Sequence, residues 1–421
     1  MELVESKYKQ TEVGLIPEDW ELVDVRDLLD LLTDYDANGS FASVAENVTV
    51  FDHPEYAWYV RSTDLENDTN IADVRYVDRE SYKFLKKTAL FGGELLFLKR
   101  GDIGKVYLFK MQTKFATVAP NLYLLKINQH STPRFLYFFF SSRGGQLQLL
   151  SKNASSTLGA LYKDDVKSIK VPLPPTLTEQ RAIATALSDV DDLIQSLSKL
   201  IEKKKAIKQG VMQELLKPKE NWIRQKLGDR AILKARIGWQ GLTTAEYLDS
   251  GEYGLITGTD FVDGFIDWDN CVFVEKTRYD QDRNIQVREG DVLITKDGTI
   301  GKVAYIDKVK HPTTLNSGVF VLRPINNSFH TLFFYYLLLS DQFNDFLAKL
   351  AAGSTISHLY QKDFVNFRYW LPSSLAEQKL IAESLYSLDR DIDKANRTLK
   401  KYKDLKQGMM QELLTGKTRL I

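Results

Sequence analysis

Apolar residues along the chain fall into two rhythms, long helical seams and short strand-like runs. Between 377 and 414, Ile381, Leu385, Leu388, Ile392, Ala395, Leu399 and Tyr402 recur at alternating steps of four and three, the seam of a coiled coil. Between 179 and 216, Ile183, Leu187, Val190, Ile194, Leu197 and Ile201 keep the same register until Lys204 interrupts it. Each seam follows a proline-containing loop, with Thr178 placed to cap the first helix. At ~1.5 Å per residue each helix makes a rod of roughly 57 Å. The shorter runs Leu95–Leu98, Val106–Phe109 and Leu122–Ile127, and later Val292–Thr295, Val303–Ile306 and Gly318–Leu322, read as strands punctuated by glycine turns. Phe135–Leu150 and Leu332–Leu350 read as helices apolar enough to be buried.

The chain is written twice. At a constant offset of 198, Glu179, Gln180, Ile183, Leu187 and Asp191 match Glu377, Gln378, Ile381, Leu385 and Asp389. The helix ends match more closely still, Lys208-Gln209-Gly210 and Met212–Leu216 against Lys406-Gln407-Gly408 and Met410–Leu414. Gly210 and Gly408 mark a helix interruption, a close backbone approach or a shared helix end. Upstream, Gly101, Gly104 and Lys105 align with Gly298, Gly301 and Lys302, Leu161-Tyr162 with Leu359-Tyr360, and Asp165 with Asp363. The fold class is therefore α+β: two diverged α/β domains alternating with two long helices, related by a pseudo-twofold internal repeat. Two matching heptad helices pack most naturally as an antiparallel coiled coil, with packing of each helix on its own domain alone as the alternative. The boundaries fall at 1–177, 178–217, 218–375 and 376–421.

Composition changes this picture little. One cysteine, Cys271, excludes an internal disulfide and fits a reducing cytoplasm. The opening MELVESKYKQTEVG has no apolar stretch of the kind a secretory signal needs, and no run is long enough to span a bilayer. Charge is more telling. Residues 1–80 hold 6 Lys/Arg against 20 Asp/Glu, and residues 81–177 hold 15 against 4, as a domain with one cationic face would. The same counts also suit a solvated surface with no partner.

Catalytic signatures are absent. No N-P-P-[YF] or F-x-G-x-G stretch marks a methyltransferase, and no G-x-S-x-G elbow is present. The Gly-Lys pairs at 104–105 and 301–302 lack both the Ser/Thr and the spacing of a P-loop. Five scattered histidines give no metal-ligand spacing. The chain reads as a non-enzyme with no catalytic residue, metal site or cofactor of its own.

DNA contact fits the repeated features. Lys99, Arg100, Gly101 and Lys105, with Lys296, Gly298, Thr299 and Lys302, combine close backbone approach with cations that neutralise phosphates. The hydroxyls of Ser156, Thr157, Ser354 and Thr355 suit phosphates or base edges, and Lys110, Lys114, Arg143 and Lys152 extend the cationic track. The glycines equally suit plain β-turns, and the hydroxyls plain caps.

Two diverged domains alternating with two near-identical helices resemble the specificity subunits of type I restriction–modification systems. So do the opening Thr11-Glu12-Val13-Gly14-Leu15-Ile16-Pro17-Glu18-Asp19-Trp20, the Leu-Pro…Glu-Gln-x-x-Ile-Ala start of each helix and its Lys-Gln-Gly-x-Met-Gln-Glu-Leu-Leu end. The resemblance covers essentially the whole chain. It implies two target-recognition domains, each reading half of a split, asymmetric double-stranded DNA site. The helices would set the spacing and dock two methyltransferase subunits. It further implies that S-adenosylmethionine, ATP and magnesium serve those partners and the motor-nuclease subunits. A standalone DNA-binding regulator and a coiled-coil adaptor remain the alternatives.

Overall fold

The run Leu95-Leu96-Phe97-Leu98 has no polar member, so a strand there needs apolar cover on both faces. The computed structural model, which describes residues 7–67, 69–153, 159–238, 241–351 and 358–420, supplies that cover. Leu95 and Phe97 enter one core with Tyr123 and Leu125, whereas Leu96 and Leu98 enter another with Leu122 and Leu124. Side chains alternate across a strand, so the sheet separates two cores.

This strand belongs to the first of two compact units, Met1–Ser198 with Thr398–Ile421. Its four-stranded antiparallel sheet runs Val106–Leu108, Leu95–Leu98, Leu122–Ile127, Leu29–Asp34. A five-stranded sheet beside it contains the parallel pair Ala57–Val60 and Ala116–Val118. The helix expected over Phe135–Leu150 is two helices, Pro133–Ser141 and Arg143–Ser151. Ser142 breaks it: its hydroxyl accepts from the Gly145 amide, and a Cβ on Gly145 would lie 2.2 Å from the Phe139 carbonyl oxygen. Only glycine fits that corner.

The second unit, Lys199–Arg397, repeats the plan. Its antiparallel sheet runs Ala231–Lys234, Val319–Pro324, Val292–Thr295, Val303–Tyr305. Val292 and Ile294 face one core and Leu293 the other. A second sheet contains the parallel pair Tyr253–Ile256 and Thr313–Leu315. Leu332–Leu350 also divides, into Thr331–Leu338 and Asp341–Ala351.

The long helices occupy Leu177–Leu215 and Leu375–Leu413, 39 residues each. Thr176, rather than the expected Thr178, caps the first by accepting from the Glu179 amide. Every seam position named from the sequence is buried or half-buried. Within the first unit, Ile183 and Leu187 share a core with Leu413 and Leu414, and Asp191 pairs with Lys406 at 2.6 Å. Within the second, Ile381 and Leu385 share a core with Met212 and Leu216, and Asp389 pairs with Lys208 at 2.5 Å. Early residues of one helix thus meet late residues of the other in each unit, which is antiparallel packing. Both domains join it. The Lys406 ammonium lies 5.7 Å from the Phe138 ring centre, and Lys208 lies 5.8 Å from that of Tyr336. Lys204, which breaks the heptad, pairs with Asp391 at 2.9 Å. Gly210 and Gly408 mark neither an interruption nor a close approach: both helices run through them, and a Cβ at either meets nothing within 4 Å.

A repeated clamp joins each helix to its domain. The buried Gln180 amide accepts from the Thr132 amide and donates to the His130 and Pro174 carbonyls; Gln378 accepts from the His330 amide and donates to Pro372. These bonds satisfy the amides and use only main-chain partners.

Candidate nucleic-acid interface

In each domain the glycine-rich segment is a tight connection between two sheet strands. Gly101, Gly104, Gly298 and Gly301 have φ of 93°, 99°, 68° and 81°, a region that side chains rarely adopt. Their surroundings divide them. A Cβ on Gly104 would sit 2.7 Å from the Gln146 side-chain oxygen, and one on Gly301 would sit 2.5 Å from Leu347, whereas Gly101 and Gly298 have open space. One glycine of each pair packs against the domain's own helix, and the other has room for a side chain.

A second segment closes each turn. The Leu161 amide donates to the Lys99 carbonyl and Arg100 bridges Ala160; the Leu359 amide donates to Lys296 and Asp297 bridges His358. Ser156, Thr157, Ser354 and Thr355 lie outside the described residues. Tyr162 and Tyr360, which match between the two copies, follow directly on these closing segments, 60% and 53% exposed.

The electrostatics of the two turns differ. Lys99, only 15% exposed, bonds Asp34 at 2.7 Å and Asp36 at 2.5 Å, and Lys163 bonds the other Asp34 oxygen at 2.7 Å. Burial pulls the Lys99 ammonium toward neutrality; the two carboxylates outweigh it and raise its pKa. Burial likewise pushes the Asp34 carboxyl up, and Lys163 and Lys99 more than reverse it. Lys105 is held by Asp102 at 3.0 Å and Glu66 at 3.1 Å, in that order the causes of its raised pKa. In the second domain, Lys296 and Lys302 have no carboxylate partner among the described residues; the Lys296 ammonium lies 5.4 Å from the Phe320 ring centre. Asp297 is in contact with His358.

Of the remaining candidates, Arg100 and Thr299 are exposed at the turns. Lys110 and Lys114 are exposed in the connection before Ala116–Val118. Arg143 begins the helix Arg143–Ser151 and Lys152 follows its end, so they stand about 13 Å apart along its axis. Among the described residues, no group of His, Cys, Asp and Glu is arranged to hold a metal ion, and no helix is long and apolar enough to cross a membrane.

The first unit has a further charge cluster with no counterpart in sequence spacing. Arg419 donates to Glu179 and to both oxygens of Asp19, each of these last at 2.9 Å, and lies 5.7 Å from the Trp20 ring centre. Its pairing with Glu179 raises the guanidinium pKa, and the same arginine lowers that of Asp19.

Comparison with known proteins bears on all of this. The family described as type I restriction modification DNA specificity domain matches residues 17–209 and again 221–401. The MjaX and MjaVIII type I restriction enzyme specificity subunits of Methanocaldococcus jannaschii are 25% and 24% identical, each match covering 99% of this chain and 97% of theirs. A type I restriction–modification S subunit from M. genitalium shares the fold at 18% identity, with a TM-score of 0.62 over 97% of this chain and 99% of that one. Specificity subunits are non-catalytic and carry no cofactor of their own. Two copies of one recognition plan, doubled in sequence and in structure, belong to the type I restriction–modification specificity family, and this chain is the DNA specificity subunit of such a system.

Proposed function

We propose that the domains at 1–177 and 218–375 each read one half of a split, asymmetric duplex site, each presenting its glycine turn to the DNA. The observation that carries this reading is the recurrence, in two diverged domains, of the same left-handed glycine turn closed by the same main-chain bonds. Phosphates are neutralised by the cations with least internal pairing, Lys296 and Lys302 in the second domain and Arg100, Lys110 and Lys114 in the first. Residues that differ at equivalent places, Arg100 against Asp297 and Asp102 against Thr299, suit the reading of different bases.

The long helices, 178–217 and 376–421 with their flanks, set the spacing between half-sites and dock two methyltransferase subunits, which motor-nuclease subunits join in the cytoplasm. Leu200 and Ile207 support the docking role: they are exposed apolar residues one heptad apart, off the seam. The test is binding of the assembled methyltransferase complex to duplex DNA across a salt series. Lys296→Ala and Lys302→Ala should each weaken binding and reduce the salt slope by about one. Unchanged affinity and slope in both would sink the reading. Mapping methylated adenines should show two defined blocks, and four residues inserted into the first helix should widen the gap between them.

A further inference from the structure

Tyr162 and Tyr360 stand where folding alone would place something else. Each is the residue before a short helix, Lys163–Lys167 or Gln361–Phe364, with extended backbone at the cap (φ −98° and −75°) and no side-chain cap bond. Serine, threonine, asparagine or aspartate at such a place bonds the first free amides. Three positions on, both copies carry aspartate, Asp165 and Asp363, the reciprocal partner of a capping box. Both boxes thus lack their hydroxyl and hold an aromatic ring more than half in water instead. A single misplaced tyrosine would be unremarkable. The same departure, kept in two domains that otherwise differ, indicates a ligand that both contact.

The neighbours identify that ligand's chemistry. Leu161 and Leu359, adjacent to the tyrosines, are bonded to the carbonyls of Lys99 and Lys296 at the roots of the glycine turns. The Tyr360 ring has Lys362 at 5.4 Å and His358 at 4.5 Å from its centre, and its hydroxyl has no partner among the described residues. A phenol beside a lysine ammonium matches a sugar–phosphate backbone, the ring lying on a deoxyribose and the hydroxyl donating to a phosphate oxygen. Identity between the copies narrows this further. A residue that is the same in two domains reading different half-sites carries no sequence information, so it positions rather than discriminates.

We propose that Tyr162 and Tyr360 are equivalent backbone-positioning contacts, one per domain, that dock each glycine turn onto the sugar–phosphate chain of duplex DNA. This rests on the reading that the turns face DNA. Because the ring replaces a helix cap, the two positions trade fold stability for binding.

The experiment uses the assembled methyltransferase complex, titrated with a duplex carrying its methylated site and with an unrelated duplex, for Tyr162→Ser, Tyr360→Ser, Tyr360→Phe and Lys302→Ala. Each serine variant should hold or raise the melting temperature and weaken both duplexes by a similar factor, about tenfold. Tyr360→Phe should lose about threefold through the hydroxyl alone. None of the tyrosine variants should change the salt slope, because none removes a charge. If Lys302→Ala weakens binding while the serine variants bind normally, the tyrosine assignment fails and the turn reading stands. If neither has an effect, both fall. A serine variant that weakens only the methylated site makes the tyrosine a base reader and overturns the positioning role.

Discussion

The two glycine turns share a backbone and differ in charge economy. In the first domain Lys99 and Lys105 are both engaged by carboxylates, with Asp34, only 5% exposed, serving Lys99 and Lys163 together. In the second, Lys296 and Lys302 stand without such partners among the described residues. Equivalent lysines therefore do different work: one pair holds its own domain together, and the other is available to a polyanion. Aligned sequence cannot separate these roles, because the deciding partners are elsewhere in the chain. A second contrast lies at the helix starts. Glu179 is gripped by Arg419, while its twin Glu377 has no ion-pair partner among the described residues.

These contrasts can be broken in graded ways. Asp34→Ala should have the largest effect, a loss of about 3 kcal/mol in urea unfolding, because it removes the buried carboxylate that Lys163 and Lys99 share and leaves Lys99 with Asp36 alone. Lys296→Ala, the corresponding test in the other domain, should leave stability within about 0.5 kcal/mol and act on DNA binding instead. Equal destabilisation by both would erase the distinction.

Arg419→Ala should cost about 2 kcal/mol, since it leaves the buried Glu179 carboxylate unpaired, whereas Glu377→Gln should be nearly neutral. Thermal melts of the two variants side by side decide the point. Acid should expose the Asp34 cluster in a predictable direction. Its pKa is lowered on folding from an ordinary value of 3.8, so its stabilisation is complete above that pH and is lost as the pH falls further and the folded carboxyl protonates. An Asp34→Asn variant should lose that part of the acid sensitivity, seen as a flatter stability profile below pH 3.8. Smallest and opposite in sign, Gly210→Ala and Gly408→Ala should each stabilise the free subunit by about 1 kcal/mol, because the added methyl meets open space in a regular helix. A loss of stability there would mean that the added methyl meets a neighbour at a position where open space is found.

Much of the architecture was legible because it obeys a period. The heptad seams gave the long helices, and the apolar runs around 95, 122, 292 and 319 gave strands at nearly their observed bounds. The break at Ser142 was marked only by composition, since Ser141–Gln146 carries no apolar side chain and holds two adjacent glycines, and the fit of Gly145 against Phe139 turns that stretch into a corner. Cationic candidates were legible as a set but not individually. Lys99 and Asp34 are 65 positions apart, a distance over which pattern carries no information about pairing. The tyrosines did leave a signal, an aromatic ring at the first position of an otherwise complete capping motif, visible once the helix start is known.

Gln180 and Gln378 fasten each reading domain to its rod through amides and carbonyls alone. A joint made to peptide groups is indifferent to which side chains hang beside it. Any domain with that bend of backbone would seat on the same socket, so new heads could be spliced onto old shafts without redesigning the fitting, and a change of target would need no new assembly.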